Sequence, residues 1–158
     1  MDKSRFHIPF GLPLTVVLFL LLCLMMSCTV PQVIILEDTL TAEQHNDLGV
    51  IYEEKGLNDL AEKEYLKAAG KRKEWMVPYF NLGNLYYQAG DYSRSEIFFR
   101  SALERAPANP DVMNNLANAL LMQGRIDEAK KAVEEALAID RKEEYLDTYR
   151  EILERESP

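Results

Sequence analysis

Leu82-Gly83-Asn84-Leu85-Tyr86 is preceded 34 residues earlier by Leu48-Gly49-Val50-Ile51-Tyr52 and followed 34 residues later by Leu116-Ala117-Asn118-Ala119-Leu120. A fixed period of that length predicts a stack of helix-turn-helix units, none of which buries its apolar face alone. Other slots keep the same step. A tiny residue follows each leucine (Gly49, Gly83, Ala117), another comes at Ala61, Ser95 and Ala129, and a third at Ala68, Ala102 and Ala136. Small side chains at these intervals let paired helices approach closely, while Tyr52, Tyr86 and Leu120 fill space beside Tyr65, Phe99 and Val133. Gly56, Gly90 and Gly124 fall at the turn inside each unit, where a left-handed C-cap is easiest for glycine.

These slots resemble those of the tetratricopeptide repeat (TPR) family. The unit from Met76 to Asn109 matches best, with Tyr79, Asn81-Leu82-Gly83, Tyr86, Gly90-Asp91-Tyr92, Phe99, Ala102-Leu103 and Pro107 in the family's positions. The first and third units depart from it: Lys73 and Arg141 stand in the slot of Pro107, and His45 and Met113 in that of Tyr79. The resemblance covers about residues 42–143. It implies an all-α, right-handed α-solenoid of three TPR repeats (about 42–75, 76–109 and 110–143) within a TPR domain at 41–158.

Local signals agree with helices near 42–55, 58–70, 76–89, 92–105, 110–123 and 126–139. Thr41-Ala42-Glu43-Gln44 reads as a capping box. Pro78 and Pro110 fall in first turns, where a missing N–H costs little. A last helix near 142–155 carries Tyr145, Tyr149 and Ile152 on one side and charged residues around the rest, which suits the polar terminal cap a solenoid needs.

The first 40 residues are of another kind. Lys3 and Arg5 precede an uncharged run that is almost wholly apolar from Leu14 to Met26, the pattern of a secretory signal at 1–27. Its exit, Leu24-Met25-Met26-Ser27-Cys28, resembles a bacterial lipobox, departing from it at Met25-Met26. That resemblance implies cleavage before Cys28 and acylation of its thiol and amine. Thr29 is not the aspartate that retains lipoproteins in the inner membrane of Gram-negative bacteria, so the resemblance implies the periplasmic face of the outer membrane. An inner-membrane signal anchor stays open as the alternative, because residues 8–36 carry no charge and exceed the roughly 20 residues needed to cross a bilayer. Both readings tether the globular part outside the cytoplasm. Residues 28–40 form a tether in which Val33-Ile34-Ile35-Leu36 is too apolar for a plain linker, packing either on the first repeat or on a partner.

The net charge is −8, and loss of residues 1–27, with Lys3 and Arg5 against Asp2, takes it to −9. That balance argues against nucleic-acid binding and against electrostatic docking on anionic lipid. Cys23 and Cys28 are the only cysteines, so the repeat domain needs no disulfide in an oxidising compartment. His45, the one histidine beyond the signal, sits in a packing slot, and no nucleophile, metal-ligand or phosphate-loop pattern appears. The chain is therefore not expected to be an enzyme or to hold a metal or cofactor.

In the TPR family the first helix of each unit lines the concave groove. The corresponding residues here are Asn46, Val50 and Glu53-Glu54; Phe80, Asn84, Tyr87 and Gln88; and Asn114, Asn118, Leu121 and Met122. Asparagine donates and accepts at once, suiting it to the backbone of an extended peptide, and Phe80 and Tyr87 offer flat apolar area. TPR co-chaperones that grip a C-terminal carboxylate use Lys and Arg on this face, and these positions carry no cation, so an uncharged or basic segment is expected instead. Two functions remain open. One is a lipid-anchored adaptor that binds a protein or peptide partner in the groove during assembly of a pilus, secretion or polysaccharide-export complex. The other is a structural subunit or homo-oligomer that uses its convex and terminal surfaces and leaves the groove unused.

Overall fold

The computed structural model describes residues 13, 15 and 38–156, the last stretch falling almost wholly in one compact unit, Thr39–Pro158. The signal at 1–27, Cys28 and the apolar Val33–Leu36 of the tether lie outside the described residues, apart from residues 13 and 15. Seven helices occupy the described stretch, with no strand among them: α1 Ala42–Glu54, α2 Asn58–Lys71, α3 Val77–Gln88, α4 Tyr92–Arg105, α5 Pro110–Met122, α6 Ile126–Ile139 and α7 Glu143–Glu156. None is long and apolar enough to cross a membrane.

The helix ends follow from local chemistry. The Thr41 hydroxyl accepts from the Gln44 backbone N–H at 3.2 Å and Gln44 Oε1 accepts from the Thr41 N–H at 2.8 Å, completing the expected capping box. Asp91 and Asn109 cap α4 and α5 in the same way, through the N–H groups of Arg94 and Val112. Each helix pair turns on a glycine with positive φ, 71° at Gly56, 76° at Gly90 and 74° at Gly124. The following N–H reaches back to the last turn: Leu57 to Tyr52, Asp91 to Tyr86 and Arg125 to Leu120, at 2.9–3.0 Å. Three identical C-caps give each pair the same reversal.

Packing within each pair explains the small residues. A Cβ on Gly49 would stand 2.5 Å from the Tyr65 ring, and one on Gly83 would overlap the ring of Phe99. In the third unit Ala117 and Val133 hold those two slots, a methyl group added where the facing side chain is smaller; both are fully buried. Ser95 fills its small-residue slot and donates its hydroxyl to the Gly83 carbonyl at 2.8 Å, so the polar atom is satisfied in the interior.

Repeats stack through residues one period apart. Leu85 is 3% exposed against the preceding repeat, whereas Ile51, its counterpart in α1, is 44% exposed because no described helix packs before α1. The other end is closed. α7 packs on both α6 and α5, and buries Tyr145, Thr148 and Ile152. Tyr149, expected on the same side, is only partly buried. Lys130 pairs with Glu156 at 2.8 Å, and the Tyr145 hydroxyl bonds Asp111, tying the cap to α6 and α5.

Candidate functional site

α1, α3 and α5 line the inner face of the stack, and two adjoining clefts run along it. The larger, about 510 Å³, is bounded by Val50, Glu53 and Glu54 from α1, Tyr65 from α2, and Asn81, Asn84, Tyr87 and Gln88 from α3. The second, about 160 Å³, is bounded by Asn84, Tyr87, Phe99, Asn115 and Asn118. Asn84 and Tyr87 belong to both, so they mark the middle of one groove.

Amide side chains tie the walls together. Asn81 donates to the Asn46 side-chain oxygen at 2.9 Å, and Asn115 donates to that of Asn84 at 2.9 Å. Asn84 thus spends its carbonyl inside the wall and keeps a two-proton donor for a ligand. Glu53 is held by two neutral donors, the Tyr65 hydroxyl at 2.7 Å and Gln88 Nε2 at 3.2 Å. Burial and then the Glu53 carboxylate push the Tyr65 phenol far above its ordinary range, so its proton stays on Tyr65 and points to Glu53. Burial also raises the Tyr87 phenol; its ring meets Tyr92 edge-on at 5.4 Å. No Lys or Arg lines either cleft.

Of the groove residues expected from sequence, Val50, Asn84, Tyr87, Gln88 and Asn118 line the clefts, as do Glu53 and Glu54. Four do not. Leu121 is 1% exposed and belongs to the apolar cluster that Tyr145 and Ile152 complete. Asn114 is 7% exposed on the same helix, with no hydrogen-bond partner for its side-chain oxygen. Both are lost to the groove on α5, the helix that α7 covers. Asn46, also 7% exposed, is consumed by its bond from Asn81. Phe80 is partly buried and packs on Phe99, with ring centroids 6.0 Å apart. Asn81, Asn115, Tyr65 and Phe99 were not expected in the groove; the recurrence of Asn at 81 and 115, one period apart, was the available signal.

His45 is fully buried away from these clefts, its Nδ1 donating to Glu64 at 2.6 Å, so it is an interior residue of the first repeat. Among the described residues no three His, Cys, Asp or Glu side chains converge as metal ligands.

Helix pairs stacked at a constant step around an open, polar groove define an α-solenoid of the repeat-scaffold class. A sequence model of the tetratricopeptide repeat matches residues 86–152. Human tetratricopeptide repeat protein 6 is 35% identical over 77 residues, which are 49% of this chain and 15% of that protein. Among solved structures, the first TPR of Spaghetti (RPAP3) bound to the HSP90 peptide SRMEEVD superposes with a TM-score of 0.72 at 19% identity, covering 75% of this chain and 94% of that one. The second TPR domain of human RPAP3 in complex with the HSP70 peptide SGPTIEEVD gives 0.68 at 17% identity, covering 71% and 94%. Residues 86–152 are thus similar in sequence to tetratricopeptide repeats, and the stack as a whole has the fold of the TPR domains it superposes on.

Proposed function

We propose that this chain is a non-enzymatic adaptor that holds an extended segment of a partner protein in the groove of α1, α3 and α5. The observation that carries the reading is the continuity of the two clefts through Asn84 and Tyr87. Asn84 offers donors to a peptide backbone whatever its sequence, and Tyr87 supplies a flat anchor whose ordering costs little entropy. Two structural neighbours with the same fold are peptide complexes by their own descriptions, which supports the groove as the place for such a ligand.

The adaptor is anchored to a membrane. Lys3, Arg5, the apolar run and Ser27-Cys28 support acylation at Cys28, and two or more acyl chains hold firmly where one is marginal. With Thr29 after the cysteine, we place it on the periplasmic face of the outer membrane, in the assembly of an envelope complex such as a pilus, secretion or polysaccharide-export machine.

The test compares two triple variants by partner capture from the native membrane. Asn84→Ala, Tyr87→Ala and Asn118→Ala together should abolish capture with helicity near wild type, melting falling only by what the Asn115–Asn84 bond and the Tyr87–Tyr92 ring contact contribute. Lys63→Ala, Ile97→Ala and Lys131→Ala, exposed at one repeated slot on α2, α4 and α6, should leave it intact. The reverse result would replace the groove reading with a structural subunit working through its convex surface.

A further inference from the structure

We infer, building on the groove reading, that the segment it holds is cationic, with a Lys or Arg side chain seated between the C-terminal ends of α1 and α3 against Glu53 and Glu54. Three independent features meet there. The first is uncompensated charge. Several carboxylates on the stack have cations at hand: Glu64 has Lys67 at 2.8 Å, Glu96 has Arg125 at 2.5 Å and Arg100 at 2.8 Å, and Asp111 has Lys142 at 2.6 Å. The donors that hold Glu53, by contrast, are the neutral Tyr65 and Gln88, and no described cation pairs with it or with Glu54.

The second feature is the direction of the helices. α1 ends at Glu54 and α3 at Gln88, and both residues line the larger cleft. The C-terminal end of a helix carries about half a negative charge, which a cation in the last turn usually offsets. Neither α1 nor α3 has a basic residue in its last turn. Two carboxylates beside the ends of two helices therefore share one concave space, whose low-dielectric walls concentrate the field, and the nearest cation in sequence, Lys55 at the C-cap of α1, is not among its lining residues.

The third feature is orientation. Tyr65 is fully buried, and its hydroxyl is fixed on Glu53 Oε2, so that carboxylate is held in place without being neutralised. Val50 and Tyr87 line the same cleft and suit the aliphatic stem of a Lys or the face of a guanidinium. Asn84, with its carbonyl engaged by Asn115, presents donors to the backbone carbonyls beside that residue. The cleft has no positive group with which to bind an acidic tail.

The experiment uses full-length protein in detergent micelles and an immobilised library of short peptides randomised at every position. Retained peptides should carry Lys or Arg at one fixed position. A retained peptide, labelled and followed by fluorescence anisotropy, should bind Glu54→Gln about three- to tenfold more weakly than wild type, and should weaken as salt is raised. Glu53→Gln keeps an acceptor for the Tyr65 hydroxyl, so the Glu53→Gln/Glu54→Gln protein should remain folded by circular dichroism while losing still more affinity. Retained peptides that are neutral or acidic, or an affinity unmoved by both glutamine changes yet destroyed by Asn84→Ala with Tyr87→Ala, would overturn the cationic ligand and leave the groove standing. A library from which nothing is retained, or retention that survives Asn84→Ala with Tyr87→Ala, would remove the groove reading and this inference together.

Discussion

The ring of Phe99 fills the space in which a Cβ on Gly83 would stand. Helices α3 and α4 therefore close on each other through bare backbone at this point, and any side chain at position 83 must displace a fully buried aromatic ring. Gly83→Leu is expected to cost at least roughly 1–3 kcal/mol by overpacking. For a domain of this size that lowers Tm by about 3–5 °C per kcal/mol, readable by circular dichroism melting. Gly83→Leu together with Phe99→Val, which copies the smaller partner found at Ala117 and Val133, should recover part of the loss. A double variant no better than Gly83→Leu would show that the close approach is not the cause.

Much of this contact was legible in the sequence, because a 34-residue step repeats both members of the pair: Gly49 with Tyr65, Gly83 with Phe99, Ala117 with Val133. Helix ends were legible for the same kind of reason, since Thr41, Gly56, Gly90 and Gly124 act on backbone groups within a few residues of themselves. The open part of the groove was not. Leu121 occupies the same repeat slot as Glu53 and Tyr87, yet its burial is decided by Tyr145 and Ile152, more than twenty positions on. A rule that treats repeats as equivalent has no term for a helix that covers only the last one. The bonds from Asn81 to Asn46 and from Asn115 to Asn84 were hidden for a related reason: they join different slots in the two junctions, so no single period describes them.

The cap offers a separate test. Ile152 is fully buried where α7 meets the last repeat. Ile152→Ala should cost about 2–5 kcal/mol, a transfer term plus the cavity left behind. A stack of three repeats has little stability to spare, because each unit depends on its neighbour. The loss should therefore appear as a lower denaturation midpoint in urea, with Leu121 and Val133 newly accessible to a hydrophobic dye. An unchanged midpoint would mean that α7 does not close the stack.

The anchor we propose stands or falls on Cys28. Cys28→Ala should leave the precursor uncleaved or free the repeat domain into the soluble fraction, and should abolish metabolic labelling with an alkyne palmitate analogue. Equal labelling of variant and wild type would sink the lipoprotein, and retention of the uncleaved protein in the inner membrane without any label would favour the signal anchor.

The buried pair in the first repeat predicts an acid dependence. Glu64 is almost fully buried; burial by itself raises its carboxyl, but donation from Lys67 at 2.8 Å and from His45 Nδ1 at 2.6 Å outweighs it and leaves the group below its ordinary range. A carboxyl depressed on folding stabilises the native state above its unfolded pKa, near 4.3, and that contribution disappears as pH falls through the lower folded value. Glu64→Gln should therefore be less stable than wild type at neutral pH, since a hydrogen-bonded buried charge is lost while His45 stays inside. The gap between the two proteins should then narrow from about pH 5 downward, as protonation brings wild type to the state the amide already mimics. Other carboxylates held low by cations, Glu96 and Asp111 among them, titrate in both proteins and so cancel in the difference. Urea midpoints of the two proteins across that range measure the gap directly. A gap that stays constant down to pH 3 would show that Glu64 is not held ionised by His45 and Lys67, and that packing alone accounts for its place in the core.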